Sequence, residues 1–195
     1  ECRVRGVSYK EIKSTDLLNI YSTIDQSNMD IILLEKKPKI AIYTPPNKQP
    51  WDDAVTLALT YAEVDYETLW DTEVHLGKLN DYDWLHLHHE DFTGQHGKFY
   101  RSHRNSKWYK NQELQFQELS SKLGYPSVHE HKKAIARKIK SFVKDGGFLF
   151  AMCSATDSYD IALAIGNLDG VEAVYDGTPT SPDIQNNLDY SQCFA

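Results

Sequence analysis

From Lys39 onward, short apolar runs alternate with longer stretches whose apolar residues recur every three or four positions. Ile40-Ala41-Ile42-Tyr43 has the length and continuity of a strand buried on both faces. Residues 44–50 hold three prolines, which exclude helix and ladder alike, so a loop follows. Asp52 and Asp53 stand where carboxylates favour a helix N-terminus, and Val55, Leu59 and Ala62 share one helical face. Residues 66–70 and 82–87 predict a second and a third strand. Residues 108–123 predict a helix that stops at Gly124. Ser127 and Glu130 have capping-box spacing. Ile135, Ile139, Phe142 and Val143 then give the core stripe of the next helix, ended by Asp145-Gly146-Gly147. Residues 148–152 are the most strand-like run in the chain. Cys153 follows at once, and Ser154 with Asp157 opens a helix whose buried face is Ile161, Ala162 and Ile165. Residues 171–175 predict a further strand, and 177–187 a turn-rich surface loop. Ahead of Lys39, residues 7–12 predict a short strand, and a helix opens at Ser14 or Thr15 and breaks at Ser27-Asn28. Residues 35–38 read as a polar connector.

Strands alternating with helices define an α/β fold, a three-layer sandwich with a mostly parallel sheet. Residues 1–37 are expected to be a lead-in strand and helix of the same domain. Residues 38–195 are expected to be the α/β domain proper, with a helical insertion at about 90–146. The sequence shows no repeat.

Composition narrows the function classes. The 195 residues are 41% hydrophobic and 25% charged, enough for one sizeable core. The formal net charge of −7 argues against a general nucleic-acid binder, because phosphates reward positive faces. Residues 92–109 do interleave Arg101, His103, Arg104 and Lys107 with aromatic side chains. In an acidic chain where that pattern is not repeated, the segment reads as a lid or insertion over a site. No apolar run approaches the roughly 20 residues of a membrane helix. Cys2, Cys153 and Cys193 lie far apart, which suits neither a disulfide framework nor a metal knuckle. The charged start, Glu1-Cys2-Arg3-Val4-Arg5, does not read as a signal peptide. A start without Met and an end at Cys193-Phe194-Ala195 lead us to expect a piece of a longer protein. No cofactor is expected; the partner is expected to be a small molecule, and compartment and oligomeric state stay open.

In an open parallel sheet, ligands gather at the carboxyl ends of the strands. Three expected strand ends carry notable residues: Thr44 and Pro45, then His88-His89-Glu90-Asp91, then Cys153. Cys153 sits at a strand-to-helix junction with Ala151 and Ala155 at −2 and +2. A nucleophile elbow needs small residues there because its sharp turn crowds them. The helix behind it would aim N-terminal amides at the sulfur and favour a thiolate. The bland alternative is a buried, inert Cys at a strand end. His86 and His88 share one face of a strand, and His88, His89 and Glu90 are the candidate partners for Cys153. The same His86, His88, His89 and Glu90 could instead ligate a metal, or could be hydrogen-bonded residues at a sheet end. Ser154 would supply a backbone amide for an oxyanion, with Thr44, Pro45 and Asp91 lining the pocket.

Four blocks carry a resemblance to a known family. They are Lys39-Ile40-Ala41-Ile42-Tyr43-Thr44-Pro45-Pro46, Pro50-Trp51-Asp52-Asp53-Ala54-Val55-Thr56-Leu57-Ala58-Leu59, Trp84-Leu85-His86-Leu87-His88-His89-Glu90-Asp91-Phe92-Thr93-Gly94 and Phe148-Leu149-Phe150-Ala151-Met152-Cys153-Ser154-Ala155-Thr156-Asp157. Together they resemble a group of bacterial proteins called asparagine synthetase B, over nearly the whole chain. At fold level that group is similar to the flavodoxin-like, class I glutamine amidotransferase-like superfamily, which holds enzymes and non-enzymes. The resemblance implies a longer chain and places Cys153 at the nucleophile position. Three departures stand out. Glutamine-using asparagine synthetases carry an N-terminal catalytic Cys and a Ser-Gly-Gly-x-Asp-Ser loop; here Cys2 follows Glu1 and no such loop occurs. Class I amidotransferases complete their Cys with a later His-x-Glu, yet His131 is the last histidine in this sequence. The loop that usually supplies the oxyanion hole reads His89-Glu90-Asp91-Phe92-Thr93-Gly94 instead of a Gly-Gly-Pro type.

The leading expectation is therefore a class I glutamine amidotransferase-like domain with thiol-dependent amide hydrolysis or amide transfer at Cys153. The base would be His88, His89 or a residue outside the sequence. One alternative is a non-catalytic domain that binds a small molecule or partner on the same fold. The other is the metal site at His86, His88, His89 and Glu90.

Overall fold

The computed structural model describes residues 8–27, 37–46 and 53–194. Cys2, Val7, Asn28, the connector residues 35 and 36, the loop residues 47–50 and Asp52 lie outside the described residues. The chain divides into two units, residues 1–37 and 38–195. In the first, helix α1 spans Ser14–Gln26, and Asp16 accepts a hydrogen bond from the Lys13 N–H at its start. Residues 8–12 carry no regular structure, so the strand expected over 7–12 is not formed in its described part.

The second unit is α/β, with a four-stranded, all-parallel sheet flanked by helices. Its strands are β1 (Ile40–Tyr43), β2 (Glu67–Leu69), β3 (Trp84–Leu87) and β4 (Phe148–Ala151). Their spatial order is β2-β1-β3-β4. Ala41 stands beside both Glu67 and Leu85, and Leu85 beside Leu149. Helix α2 (Asp53–Tyr61) links β1 to β2, and α3 (Asp71–His75) follows β2. Between β3 and β4 come α4 (Gly97–His103), α5 (Lys107–Lys122) and α6 (Val128–Lys144). After β4 come α7 (Ser154–Ala164) and α8 (Ala173–Asp176).

Alternation along the strands builds the main core. Ala41, Tyr43, Leu85 and Leu87 turn to one face, where they meet Ile135, Ala136, Ile139 and Phe142 of α6. Val74 of α3 and Tyr159, Ala162 and Leu163 of α7 complete that layer. The capping box predicted for α6 is present in its first half: the Ser127 hydroxyl accepts the Glu130 N–H at 3.1 Å.

Three local expectations are corrected. Residues 171–175 are not a strand: Val171 is buried and Ala173–Asp176 is a short helix ended by Gly177. Ile161 points out of α7, where it is exposed; Ala155, Tyr159 and Leu163 are buried on that helix with Ala162. Ala62 lies beyond α2 and is exposed, while Val55 and Leu59 are half-buried. The segment expected to be a helical insertion at about 90–146 does hold the helices α4, α5 and α6. Among the described strands β4 is a sheet edge, and Phe148 and Phe150 are 58% and 45% exposed despite their apolar character. No helix among the described residues is long and apolar enough to cross a membrane.

Candidate functional site

The carboxyl ends of all four strands converge on one end of the sheet, as parallel pairing requires. There β4 turns into α7 through Cys153. Its backbone sits at φ 55°, ψ −140°, a region that L-residues with a side chain rarely adopt. The turn is braced from both sides. The Met152 N–H donates to the Leu87 carbonyl at 3.1 Å, and the Ala155 N–H to the His88 carbonyl at 3.2 Å. Ala155 is fully buried in that contact, which is why a small residue is needed. The Cys153 side chain itself is exposed. The Ser154 N–H, first in the helix, makes no hydrogen bond among the described residues.

The loop after β3 is stitched to the start of α7. The Ser154 hydroxyl donates to the His89 carbonyl at 3.3 Å, and the Ser158 hydroxyl to the Glu90 carbonyl at 2.8 Å. The backbone of the predicted residues His88, His89 and Glu90 is thus held against the start of α7, where Cys153 and Ser154 stand. His88 and His89 rings lie 3.5 Å apart between centroids. His86 and His88 do share a face, with rings 6.2 Å apart, and His86 stacks on Phe150 at 5.3 Å. Burial, and then the nearby His88, push the His86 imidazole down to about 4. Its Nε2 is buried without a hydrogen-bond partner among the described residues.

Glu90 and Asp91 work within the loop. The Glu90 carboxylate accepts the His88 N–H at 2.6 Å. Asp91 accepts the N–H groups of Thr93 and His96 at 2.8 and 2.9 Å, and the Thr93 hydroxyl. Gly94 lets the loop pass: its φ is +79°, and a Cβ there would lie 2.8 Å from the His129 Cα. The metal alternative is corrected here. Among the described residues no group of three His, Cys, Asp or Glu side chains is placed to hold a metal ion. Thr44 spends its N–H on the Leu69 carbonyl at 3.0 Å, while Pro45 lines the cavity described next.

That cavity, of about 80 Å³, is bounded by Pro45, Trp70, the His89–Glu90–Asp91 loop, α4, α5 and α6. Beneath it lies a buried ionic network that the sequence reading did not find. Lys132 Nζ donates to Asp71 Oδ2 and Oδ1 at 2.7 and 3.0 Å, and to the Tyr43 hydroxyl at 3.1 Å. The Tyr43 hydroxyl donates to Asp71 Oδ1. Desolvation first, then the Asp71 charge, hold the Tyr43 phenol well above its ordinary range. Lys132 Nζ also stands 4.0 Å over the Trp70 ring. On the far side, His131 Nδ1 meets the Ser120 hydroxyl at 2.9 Å, and His131 Nε2 lies 3.8 Å from Asp71 Oδ2. Burial pushes the His131 imidazole down to about 4.

One signal for Lys132 was present in the sequence. It stands four residues after Val128 and three before Ile135, on the apolar stripe of α6. A charge on a core stripe needs a buried partner, and Asp71 is that partner.

A second, more open space of about 340 Å³ flanks the start of α7, lined by Ser154, Asp157 and Ser158. His89, Glu90 and Asp91 line it too, so this loop forms a wall of both spaces. Comparison with models of known protein families, with curated proteins and with solved structures gives no match for this chain.

Proposed function

We propose that this chain is a class I glutamine amidotransferase-like domain that hydrolyses or transfers an amide through Cys153. The observation that carries the reading is the Cys153 backbone, strained at φ 55° and ψ −140° on an exposed strand-to-helix turn. The Ser154 N–H, which makes no hydrogen bond among the described residues, stands on the residue after the nucleophile, where elbows carry an oxyanion donor. His89 is the base we assign, because it lines the same space as Ser154. In the reaction, the Cys153 thiol gives its proton to the His89 imidazole and the thiolate attacks the amide carbonyl carbon. The C–N bond breaks, and the amine leaves with the proton from His89. Water, or a second amine in a transfer, then splits the thioester and returns a proton to sulfur.

The test is alkylation against pH, read by peptide mass. Burial pushes the Cys193 thiol up, so Cys193 is an internal slow control. Cys153 should alkylate much faster than Cys193 across the neutral pH range. Reaction no faster than that of Cys193 removes the nucleophile.

One observation favours the non-catalytic alternative. Cys153 does not line the cavity over Lys132. On that reading, a Cys153→Ser variant keeps every property of the domain; on the leading reading it loses amide turnover and keeps its fold.

A further inference from the structure

The cavity over Lys132 has a composition that selects for charge. Its walls include the rings of Trp70, Phe99, Tyr109 and Phe116, and the acidic residues Glu90 and Asp91. Among the described residues that line it, Lys132 is the only Lys or Arg. All three Lys132 N–H donors are already spent, two on Asp71 and one on Tyr43. The ammonium therefore offers no donor to an anion, and Asp71 matches its charge. With Lys132 seated on Trp70 and Phe116, the rest of the lining includes the rings of Phe99 and Tyr109 and the acidic edge of Glu90 and Asp91, a lining that favours a cation over an anion. The structure contains an example of that attraction: Lys132 Nζ sits 4.0 Å from the centre of Trp70 and 5.3 Å from that of Phe116.

His96 adds an acceptor. It enters α4 at φ 51° and stacks on Phe116 at 5.0 Å. Its ring nitrogens make no hydrogen bond among the described residues. Burial pushes its imidazole down to about 4, so at neutral pH one ring nitrogen carries a lone pair. A ligand N–H finds an acceptor there.

We propose that this cavity binds an organic cation, the ammonium or guanidinium head of a small molecule, between the aromatic rings and the Glu90–Asp91 edge. A space of about 80 Å³ suits a head group, with the remainder of the molecule extending toward solvent. The proposal does not depend on Cys153.

Three probes of similar shape test it on the full chain: n-butylammonium, n-butanol and n-pentanoate. Binding is followed by tryptophan fluorescence and by ligand-observed NMR at neutral pH. The ammonium should bind with a Kd of about 1 mM or tighter. It should bind about tenfold more tightly than the alcohol, with no saturation by the carboxylate. Phe99→Leu and Glu90→Gln should each weaken the ammonium about tenfold while the melting curve is retained; at position 90 Gln still accepts the His88 N–H. Equal binding of alcohol and ammonium overturns the proposal by reducing the site to an apolar cleft. Preferential binding of pentanoate overturns it in favour of an anion site. So does the absence of ammonium saturation below about 10 mM.

Discussion

Lys132 Nζ and Asp71 Oδ2 meet at 2.7 Å with both side chains almost wholly buried. The two residues lie 61 positions apart, on α6 and at the start of α3. Their pairing ties the helix behind the sheet to the end of β2. It also fixes Trp70, the residue before Asp71, beneath the Lys132 ammonium.

Removing one member of this pair should cost more than removing both. Asp71→Asn leaves an ammonium buried with a neutral partner and should destabilise by about 3–5 kcal/mol. The double variant Asp71→Leu with Lys132→Met should recover much of that loss. Urea unfolding of Asp71→Leu, of Lys132→Met and of the double variant measures the coupling; single costs that simply add in the double would show that the charges are not coupled.

Acid should destabilise this domain before its carboxylates titrate. His86, His96 and His131 each have an imidazole held down to about 4, with burial as the first cause. The unfolded chain binds their protons near pH 6.5, so between about 6.5 and 4 it holds more protons than the native state. Stability therefore rises with pH across that window and is lost as pH falls through it. His131→Gln should flatten the slope of unfolding free energy against pH, measured by denaturant melts at half-unit steps.

At the elbow, Cys153→Gly should be more stable than Cys153→Ala. Glycine adopts φ 55° without the Cβ clash, and relief of such strain amounts to about 1–3 kcal/mol. Thermal melts of the two variants compare them directly. Equal melting temperatures would mean that the turn is not strained by its side chain.

Gly94→Ala should damage the loop wall. Its Cβ would meet backbone atoms of His129, which cannot swing aside, and φ is +79°. A loss of about 2 kcal/mol or more is expected, together with loss of n-butylammonium binding. Unchanged binding in that variant would separate the loop from the cavity.

The fold was legible where periodicity was long and unambiguous. β1 declared itself through four apolar residues in a row, and all four are buried because β1 lies between β2 and β3. α6 declared itself through Ile135, Ile139 and Phe142. β4 was equally visible, but its position at the edge was not, since a run of apolar residues carries no information on which neighbour is missing. The strand expected over 171–175 failed for a related reason. Val171 and Val174 suggest a ladder, but Gly177 caps a single helical turn there, with only Val171 buried.

The candidate site was legible in its backbone and not in its charges. Small residues around Cys153 announced a tight strand-to-helix turn, and the turn is there. The histidine run announced a crowded loop, and the His88 and His89 rings do lie 3.5 Å apart. Lys132 was hidden because its meaning depends on Asp71, and no local pattern joins two residues 61 apart. His96 and Phe99 were hidden inside a segment without clear period, where a seven-residue helix leaves little amphipathic signal.

The loop formed by His89, Glu90 and Asp91 faces the cavity over Lys132 on one side and the space beside Ser154 on the other. A shared partition has a thermodynamic corollary. Where filling one compartment moves that strip and changes the affinity of the other, filling the second changes the affinity of the first by the same factor. Occupancy of the aromatic compartment and events at the elbow are therefore variables of a single equilibrium wherever that strip of three residues moves.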